Sequence, residues 1–286
     1  MDPVNDSANP HGRQDEDASF HHYTLRHRLT SWISQNVFGN CVYTSGHGLT
    51  KGLRRKGGLG WLPEFLSGSV ETEEHRFWLS LDLKDKVIYD VGSFQGLLAL
   101  FFARTARAVI CYEPNDNNRR RLLENIALNR MTHISVRPVG IGAEPGSATM
   151  YFSPLMSGGA SVDQLTVQNL QKQAAARQVI EITTLDREVA SGTQQPPDFI
   201  KIDIEGYELQ ALQGARETIL RCRPELFLEM HGETIREKKE KVRAITDFLM
   251  AVNYDVLHVE TGTKIHPGNS EVAMEGHLYA TPAAGG

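Results

Sequence analysis

The sequence predicts an α/β fold, a doubly wound and mostly parallel sheet with an antiparallel edge strand, preceded by an N-terminal helical extension. Short apolar runs alternate with amphipathic segments along residues 83–286, which is typical of strands that alternate with helices. A glycine turn follows the first of these runs, and a carboxylate closes four of them. Because the carboxyl ends of parallel strands meet at one edge of a sheet, these residues predict a ligand site there.

The stretch that organises the chain is VIYDVGSFQG, residues 87–96. An apolar run ends in Asp90, and a turn with Gly92, Ser93 and Gly96 leads into a segment too apolar for a surface helix. A glycine has no Cβ atom, so a ligand can approach its backbone, and the following helix offers unpaired N–H groups. We therefore interpret Asp90 and the three turn residues as candidates for cofactor binding.

A second carboxylate, Glu113, closes the next apolar run. Its distance from Asp90 is close to the ~20 residues expected between a glycine turn and a ribose-binding carboxylate. Ser93 stands where a dinucleotide-binding enzyme has the second glycine of its pyrophosphate turn. This favours a ligand without a pyrophosphate, and S-adenosylmethionine (SAM) fits. Ile141, just after the third strand, is expected to pack on or near the adenine.

Composition limits the classes of protein to consider. The net charge of −5 gives no footprint for nucleic acid, and the longest apolar run, near residues 97–103, is far below the ~18 residues of a membrane span. Three widely separated cysteines indicate a reducing compartment and show no metal-binding spacing. No signal peptide is evident in the polar N-terminus. We therefore expect a cytoplasmic protein without nucleic-acid partners or a membrane span, and the oligomeric state stays open.

The segment before residue 83 divides into a tail and an extension. Residues 1–19 are polar and have little to bury, which predicts a disordered tail. Residues 20–82 are expected to form the extension, with helical apolar spacing over 23–37 and a second helix over 71–81.

Between these two helices lies a basic, glycine-rich loop, residues 51–60. It is either a solvated loop or a mobile loop that holds an anionic group of an acceptor. On the second interpretation, Arg54, Arg55 and Lys56 are candidates for substrate binding.

Four carboxylates are expected at one edge of the sheet, because Asp90, Glu113, Asp203 and Glu229 each close a buried strand. Carboxylates that lie close together repel one another unless a cation neutralises them. A sulfonium ligand with an amino group, or a metal ion, would provide that charge.

Five segments resemble the FkbM family of SAM-dependent methyltransferases, namely DVGSFQG, YEPN, TTLD, DFIKIDIEGYELQALQGA and PELFLEMHG. The resemblance extends over about residues 74–259, and its most specific part is the IKIDIEG block. It implies a class I methyltransferase (Rossmann-like) fold for residues 83–286, and transfer of a methyl group to a hydroxyl oxygen of a small-molecule or glycan-type acceptor. It also implies SAM contacts from Asp90, Gly92, Gly96 and Glu113.

The ends of the fourth and fifth strands are expected to flank the transferred methyl group. A hydroxyl acceptor must lose a proton, and His231 is our first choice of base because histidine titrates near neutral pH. Asp203 or Glu205 would orient the acceptor, and Glu229 is a further candidate for acceptor binding. Alternatively, Asp203, Glu229 and His231 would hold Mg²⁺ or Mn²⁺, although no close-spaced motif requires a metal.

Two other functions are compatible with the same stretches. A catalytically silent SAM-binding module would bind the cofactor without turnover, and the presence of Asp203, Glu205 and His231 argues against it. A nicotinamide-dependent oxidoreductase is disfavoured by Ser93 and by the absence of a Tyr-x-x-x-Lys pair from the sequence.

Overall fold

The computed structural model of the chain describes residues 39–57, 72–152, 160–161, 176–232 and 234–284. Its helices are α1 (Glu73–Ser80), α2 (Leu97–Phe102), α3 (Asp116–Asn129), α4 (Leu185–Ala190), α5 (Glu208–Gln213), α6 (Arg216–Cys222) and α7 (Ile235–Ala251), with a 3₁₀ turn at Ser270–Ala273. Its strands are β1 (Val42–Thr44), β2 (Arg54–Lys56), β3 (Val87–Val91), β4 (Ala108–Tyr112), β5 (Ile134–Arg137), β6 (Gly140–Ile141), β7 (Gly146–Phe152), β8 (Ala160–Ser161), β9 (Ala176–Thr183), β10 (Phe199–Ile202), β11 (Glu225–Glu229), β12 (Tyr254–His258), β13 (Thr263–Ile265) and β14 (His277–Pro282). The predicted tail, 1–19, and the predicted helix over 23–37 lie outside the described residues.

The main sheet confirms the predicted doubly wound architecture. In the described part of the chain it has eight strands in the order β13-β12-β14-β11-β10-β3-β4-β5, and the five from β11 to β5 are parallel. The last strand, β14, is antiparallel but not at the edge, because it inserts between β11 and β12. The antiparallel edge strand is β13, a short strand that the sequence did not predict.

The topology places a crevice at the carboxyl ends of β3 and β10. The chain proceeds from β3 outward to β4 and β5, and then returns to the other side of β3 to form β10 and β11. Adjacent strands whose connections leave in opposite directions create such a crevice at the switch point. Every residue of β3 and β10 is buried, so both strands are fixed by the core on their two faces.

Helix α1 belongs to the core of this fold. Trp78 is completely buried, and its ring centroid lies 5.2 Å from that of Phe102, 5.9 Å from Phe199 and 4.1 Å from Phe227. Truncating a buried aromatic residue typically costs ~3–5 kcal/mol of stability. The expected boundary at residue 83 therefore does not separate α1 from the domain that it packs against.

The basic segment is ordered as a strand where it is described, which corrects the prediction of a loop. Strands β1 and β2 form an antiparallel hairpin that docks on α3. The backbone N–H groups of Arg54 and Lys56 donate to Asn129 Oδ1 at 2.8 Å and Asn125 Oδ1 at 2.7 Å. These side-chain acceptors satisfy backbone donors along one edge of the hairpin.

A break between α5 and α6 has a steric cause. The sequence pattern suggests one continuous helix, but the chain turns at Gly214. A Cβ atom on Gly214 would lie 2.0 Å from the carbonyl oxygen of Gly142, so only glycine allows the backbone at 214 to approach the backbone at 142 this closely.

None of the helices in the described ranges combines the length and the apolar character that crossing a bilayer requires.

Candidate active site

A pocket lies at the switch point and contains about 840 Å³ of space, including its open mouth. The lining residues come from the turns after β3, β4 and β10 and from the smaller sheet formed by β6, β9, β7 and β8. They are Val91, Gly92, Phe94, Tyr112, Glu113, Pro114, Asn118, Gly140, Ile141, Met150, Ile180, Ile182, Asp203, Ile204, Glu205 and Tyr207.

The first turn is glycine-rich because its neighbours leave no room for side chains. Gly92 has φ +79°, and a Cβ atom there would lie 1.8 Å from the carbonyl oxygen of Asp203. Gly96 has φ +87°, and its Cβ would lie 2.4 Å from Leu122 Cδ1 of α3. The sequence explained both glycines by the approach of a ligand, whereas the structure shows that they permit contacts within the protein. Gly92 also lines the pocket, but Gly96 does not.

Glu113 lies at the end of β4 with its carboxylate fixed by two backbone donors. The N–H of Phe94 donates to Oε2 at 2.8 Å, and the N–H of Asn115 donates to Oε1 at 2.9 Å. Phe94 has φ +49°, an unfavourable conformation that the hydrogen bond to Glu113 helps to hold. Burial raises the pKa of Glu113 to about 7, although the two hydrogen bonds act in the opposite direction. Each oxygen retains a lone pair for a ligand hydroxyl.

Asp90 lies behind the pocket and does not line it. Its side chain is completely buried, and neither carboxylate oxygen accepts a hydrogen bond within the described residues. Its charge is balanced by Lys201, whose Nζ lies 3.3 Å from Asp90 Oδ1 and 3.1 Å from Asp203 Oδ2. Ser93 is also buried and points away from the lining, because its hydroxyl donates to the Asp90 carbonyl at 2.6 Å. Both residues therefore support the turn from behind.

Lys201 is the residue that the sequence analysis missed. It is a fully enclosed cation in β10, and it also donates to the carbonyl oxygen of Gly92 at 2.8 Å. Burial alone would lower its pKa, but Asp203 and Asp90 raise the pKa well above its usual range. The Lys201 ammonium thus joins the turn after β3 to the end of β10. A lysine inside the apolar run FIKI was the available signal.

The opposite wall of the pocket is apolar. Ile141 of β6 lines it together with Met150 of β7 and Ile180 and Ile182 of β9, and all four side chains are buried. These strands form a sheet separate from the main one, with β6 parallel to β9 and β7 antiparallel to it. A flat heterocycle would bury its faces against such a wall.

Acidic residues surround His231 at the ends of β10 and β11. Its Nδ1 lies 3.0 Å from Glu208 Oε1, and its Nε2 faces three further carboxylates at 3.5–3.8 Å, those of Glu229, Glu205 and Asp203. The structure therefore brings together all three residues predicted for catalysis and Glu229. Asp203 and Glu205 also line the pocket, whereas His231 and Glu229 lie behind them.

The charges in this cluster differ from those expected for a neutral histidine base. Burial would lower the pKa of His231, but its hydrogen bonds to Glu208 and Glu229 raise it to about 11. His231 is therefore an imidazolium at neutral pH, and a protonated ring cannot accept a proton. Burial raises the pKa of Glu205 to about 7 and also raises the pKa of Asp203. The charge of Glu205 thus changes near neutral pH.

A second histidine supports Glu229 from the other side. His277 Nε2 lies 3.8 Å from Glu229 Oε2, and His277 Nδ1 lies 2.5 Å from Glu260 Oε1. Burial would raise the pKa of Glu229, but the neighbouring imidazoles of His231 and His277 lower it well below its usual range. Glu229 therefore remains ionised between two histidines.

The three basic residues predicted for substrate binding are not in the pocket lining. Lys56 forms an ion pair with Glu124 of α3 at 3.1 Å, and the Arg55 guanidinium lies 6.0 Å from the centre of the Tyr43 ring. The Lys56 ion pair and the backbone contact of Arg54 hold the hairpin on α3, whereas the Arg55 contact lies within the hairpin. The prediction of acceptor binding by these residues gains no support from their positions.

A metal ion could use part of the acidic cluster. Asp203, Glu205 and His231 each offer one ligand atom, and these atoms lie within 4.8 Å of one another. Carboxylate and imidazole ligands of this kind suit Mg²⁺, Mn²⁺ or a transition metal. The sequence predicted Glu229 in place of Glu205 as the third ligand, and binding of a divalent cation at this point stays a prediction.

Comparison with known proteins agrees with the resemblance in the sequence. Residues 90–256, more than half of the chain, match the methyltransferase FkbM domain. A hexuronic acid methyltransferase, AglP from Haloferax volcanii, is 30% identical over 131 residues, which is 46% of this chain and 50% of that protein. The chain thus spans about half the length of this relative.

Two solved structures illustrate the likeness at the level of coordinates. A methyltransferase FkbM from Methylobacillus flagellatus KT is 19% identical, with a TM-score of 0.47 over 73% of this chain and 47% of that one. SMU.1697c, a putative methyltransferase from Streptococcus mutans in complex with SAH, is 11% identical, with a TM-score of 0.39 over 73% and 94% of the two chains. The family assignment rests on the domain match.

The matched range contains the turn after β3 and the carboxylate after β4. The cofactor of such an enzyme is SAM. The chain belongs to the FkbM family of SAM-dependent methyltransferases.

Proposed function

We propose that this enzyme transfers the methyl group of SAM to a hydroxyl oxygen of a small-molecule or glycan-type acceptor. One observation carries the proposal: the carboxylates of Asp203 and Glu205 line the same pocket as Glu113, at its other end along the strand edge. A group that can take up a proton therefore lies beside the cofactor site, and methylation of a hydroxyl requires such a group. The similarity to a protein named as a hexuronic acid methyltransferase supports an acceptor of the sugar type.

In the proposed complex, the ribose of SAM lies at Glu113 and the adenine at the apolar wall. The two oxygens of Glu113 would accept hydrogen bonds from the two ribose hydroxyls, since a charge-assisted hydrogen bond contributes ~1.5–3 kcal/mol. Ile141 and Ile182 would pack on the adenine. The methionine part would then lie along Gly92 and Phe94, and the sulfonium would face Asp203.

Glu205 is the base in this proposal, in place of His231. It lines the pocket, and with a pKa of about 7 a substantial fraction of Glu205 is ionised at neutral pH and ready to take up a proton. His231 would act as a fixed cation that keeps Glu205, Asp203 and Glu229 in place. A carboxylate acceptor would need no base at all, so the position of Glu205 favours a hydroxyl.

The test compares Glu205→Gln with Glu181→Gln, a control at an exposed position of β9. Glu205→Gln should retain SAM binding by calorimetry but lose ~10²–10⁴-fold in turnover, the usual contribution of a general base. The control should match the wild type in both measurements. Wild-type turnover in Glu205→Gln would remove Glu205 from the mechanism.

Two additional measurements separate the alternatives. Turnover lost on treatment with EDTA and restored by Mg²⁺ or Mn²⁺ would show that a metal, and not Glu205 alone, activates the acceptor. SAM binding without turnover on any hydroxylated metabolite or sugar would instead support a silent SAM-binding module.

A further inference from the structure

Glu208 is a buried carboxylate at the start of α5, next to the proposed site but outside the pocket lining. Its side chain is only 1% exposed. Its Oε1 accepts a hydrogen bond from the N–H of Gly206 at 2.9 Å and lies 3.4 Å from the nitrogen of Ile204. The same oxygen lies 3.0 Å from His231 Nδ1. One atom therefore connects the turn after β10 with the histidine after β11.

The turn that Glu208 contacts has an unfavourable backbone. Glu205 has φ +54° and Gly206 has φ +100°, and the first value is costly for a residue with a side chain. Such a conformation persists only where surrounding contacts hold it. The bonds from Ile204 and Gly206 to Glu208 lie on both sides of Glu205, so they hold the backbone from which its carboxylate projects.

The contact with His231 fixes the imidazole as well. A carboxylate next to one ring nitrogen accepts a hydrogen bond from that nitrogen and sets the orientation of the ring. With Nδ1 directed at Glu208, Nε2 is directed at Glu205 at 3.6 Å and at Glu229 at 3.5 Å. Rotation of the ring would break the contacts of both ring nitrogens.

We propose that Glu208 is a positioning residue for methyl transfer, which holds the Glu205 turn and the His231 ring in a single arrangement. Glu208 does not line the pocket, so it acts through these two residues and not on the substrate. The inference rests on the proposed function, because Glu205 is the base there.

The test uses Glu208→Ala and Glu208→Gln in the full chain, with Glu188→Gln as the matched control. Glu188 is also a buried glutamate at the start of a helix, and its partner is Arg137 at 2.9 Å, away from His231. Glu208→Ala should lower kcat by ~10²-fold, the usual effect of misplacing a reacting group, and leave the Kd of SAM unchanged. Glu208→Gln should recover part of kcat, since its amide oxygen can still accept the Gly206 N–H. Glu188→Gln should retain the wild-type kcat.

Two spectroscopic measurements do not depend on turnover. In both Glu208 variants the ¹⁵N signal of His231 Nδ1 should shift, because the carboxylate that this nitrogen faces has been removed, and in Glu208→Ala the Gly206 amide should exchange faster with solvent. If Glu208→Ala does not fold, Glu208→Gln alone decides through the His231 signals.

Wild-type His231 signals in Glu208→Gln, or a wild-type kcat in a folded Glu208→Ala, would overturn the proposal. Failure of the wild-type enzyme to methylate any hydroxyl would refute the proposed function but leave the spectroscopic comparison decisive for Glu208.

Discussion

Replacing Gly92 by alanine tests how tightly the cofactor turn and the end of β10 are joined. The added Cβ would lie 1.8 Å from the carbonyl oxygen of Asp203 and 3.0 Å from Ile204 Cγ2. A separation of about 1.6 Å more would be needed to reach 3.4 Å, where ordinary van der Waals contact begins. Because the nearest atom belongs to the backbone, no rotation of a side chain can relieve the clash.

The magnitude follows from two contributions. An alanine in the left-handed region costs ~1–2 kcal/mol, and overpacking adds ~1–3 kcal/mol. Gly192 is a matched control, because its φ is +72° but a Cβ atom added there would have no atom within 4 Å. We expect urea unfolding to show a loss of ~2–5 kcal/mol for Gly92→Ala and only the ~1–2 kcal/mol backbone cost for Gly192→Ala.

The same substitution should affect function. Any relief of the clash displaces Asp203 from the cofactor turn, so turnover in Gly92→Ala should fall by ~10²-fold or more. Equal stability of the Gly92 and Gly192 variants, together with wild-type SAM affinity and turnover, would refute the idea that this close contact fixes the site.

Three other predictions concern charge at the site. Since burial raises the pKa of Glu113 to about 7 and the ionised form is the better acceptor, SAM should bind ~10-fold more weakly at pH 6 than at pH 8 by calorimetry, with a smaller change in Glu113→Gln. The unliganded protein should lose stability as the pH rises toward 7, because folded Glu113 keeps a proton that the unfolded chain releases; stability that rises over this range would contradict the assignment. Lys201→Met should lower the free energy of unfolding in urea by ~3–5 kcal/mol, because Asp90 and Asp203 lose their partner. Adding Asp90→Asn to the same chain should recover part of this loss. No recovery would mean that the unpaired charge of Asp90 is not what destabilises the variant.

Much of the fold could be predicted because the signals are local. Each buried strand is a short apolar run, and the residue that ends it is at the carboxyl edge wherever the strand lies in the sheet. Glu113 and Asp203 were therefore placed at one edge without knowledge of the strand order. The insertion of β14 between β11 and β12 could not be predicted in this way, because the order of strands depends on long-range pairing.

The chemistry of the site was harder to predict because it depends on partners distant in sequence. The ionisation of His231 follows from Glu208 and Glu229, and no spacing rule connects these residues. Similarly, Gly92 is constrained by Asp203, more than a hundred residues away in the chain. A sequence shows which residues can titrate, but their surroundings determine the pH at which they do so.

The most direct test of the proposed reaction follows an isotopically labelled methyl group from SAM into the product. The enzyme would be incubated with SAM labelled with ¹³C at the methyl group and with a panel of sugars and hydroxylated metabolites that includes uronic acids. We predict one labelled methyl group per product molecule, with the carbon shift of an ether and with resistance to mild alkali. A label on nitrogen or carbon, or one released by alkali as from a methyl ester, would contradict transfer to a hydroxyl oxygen.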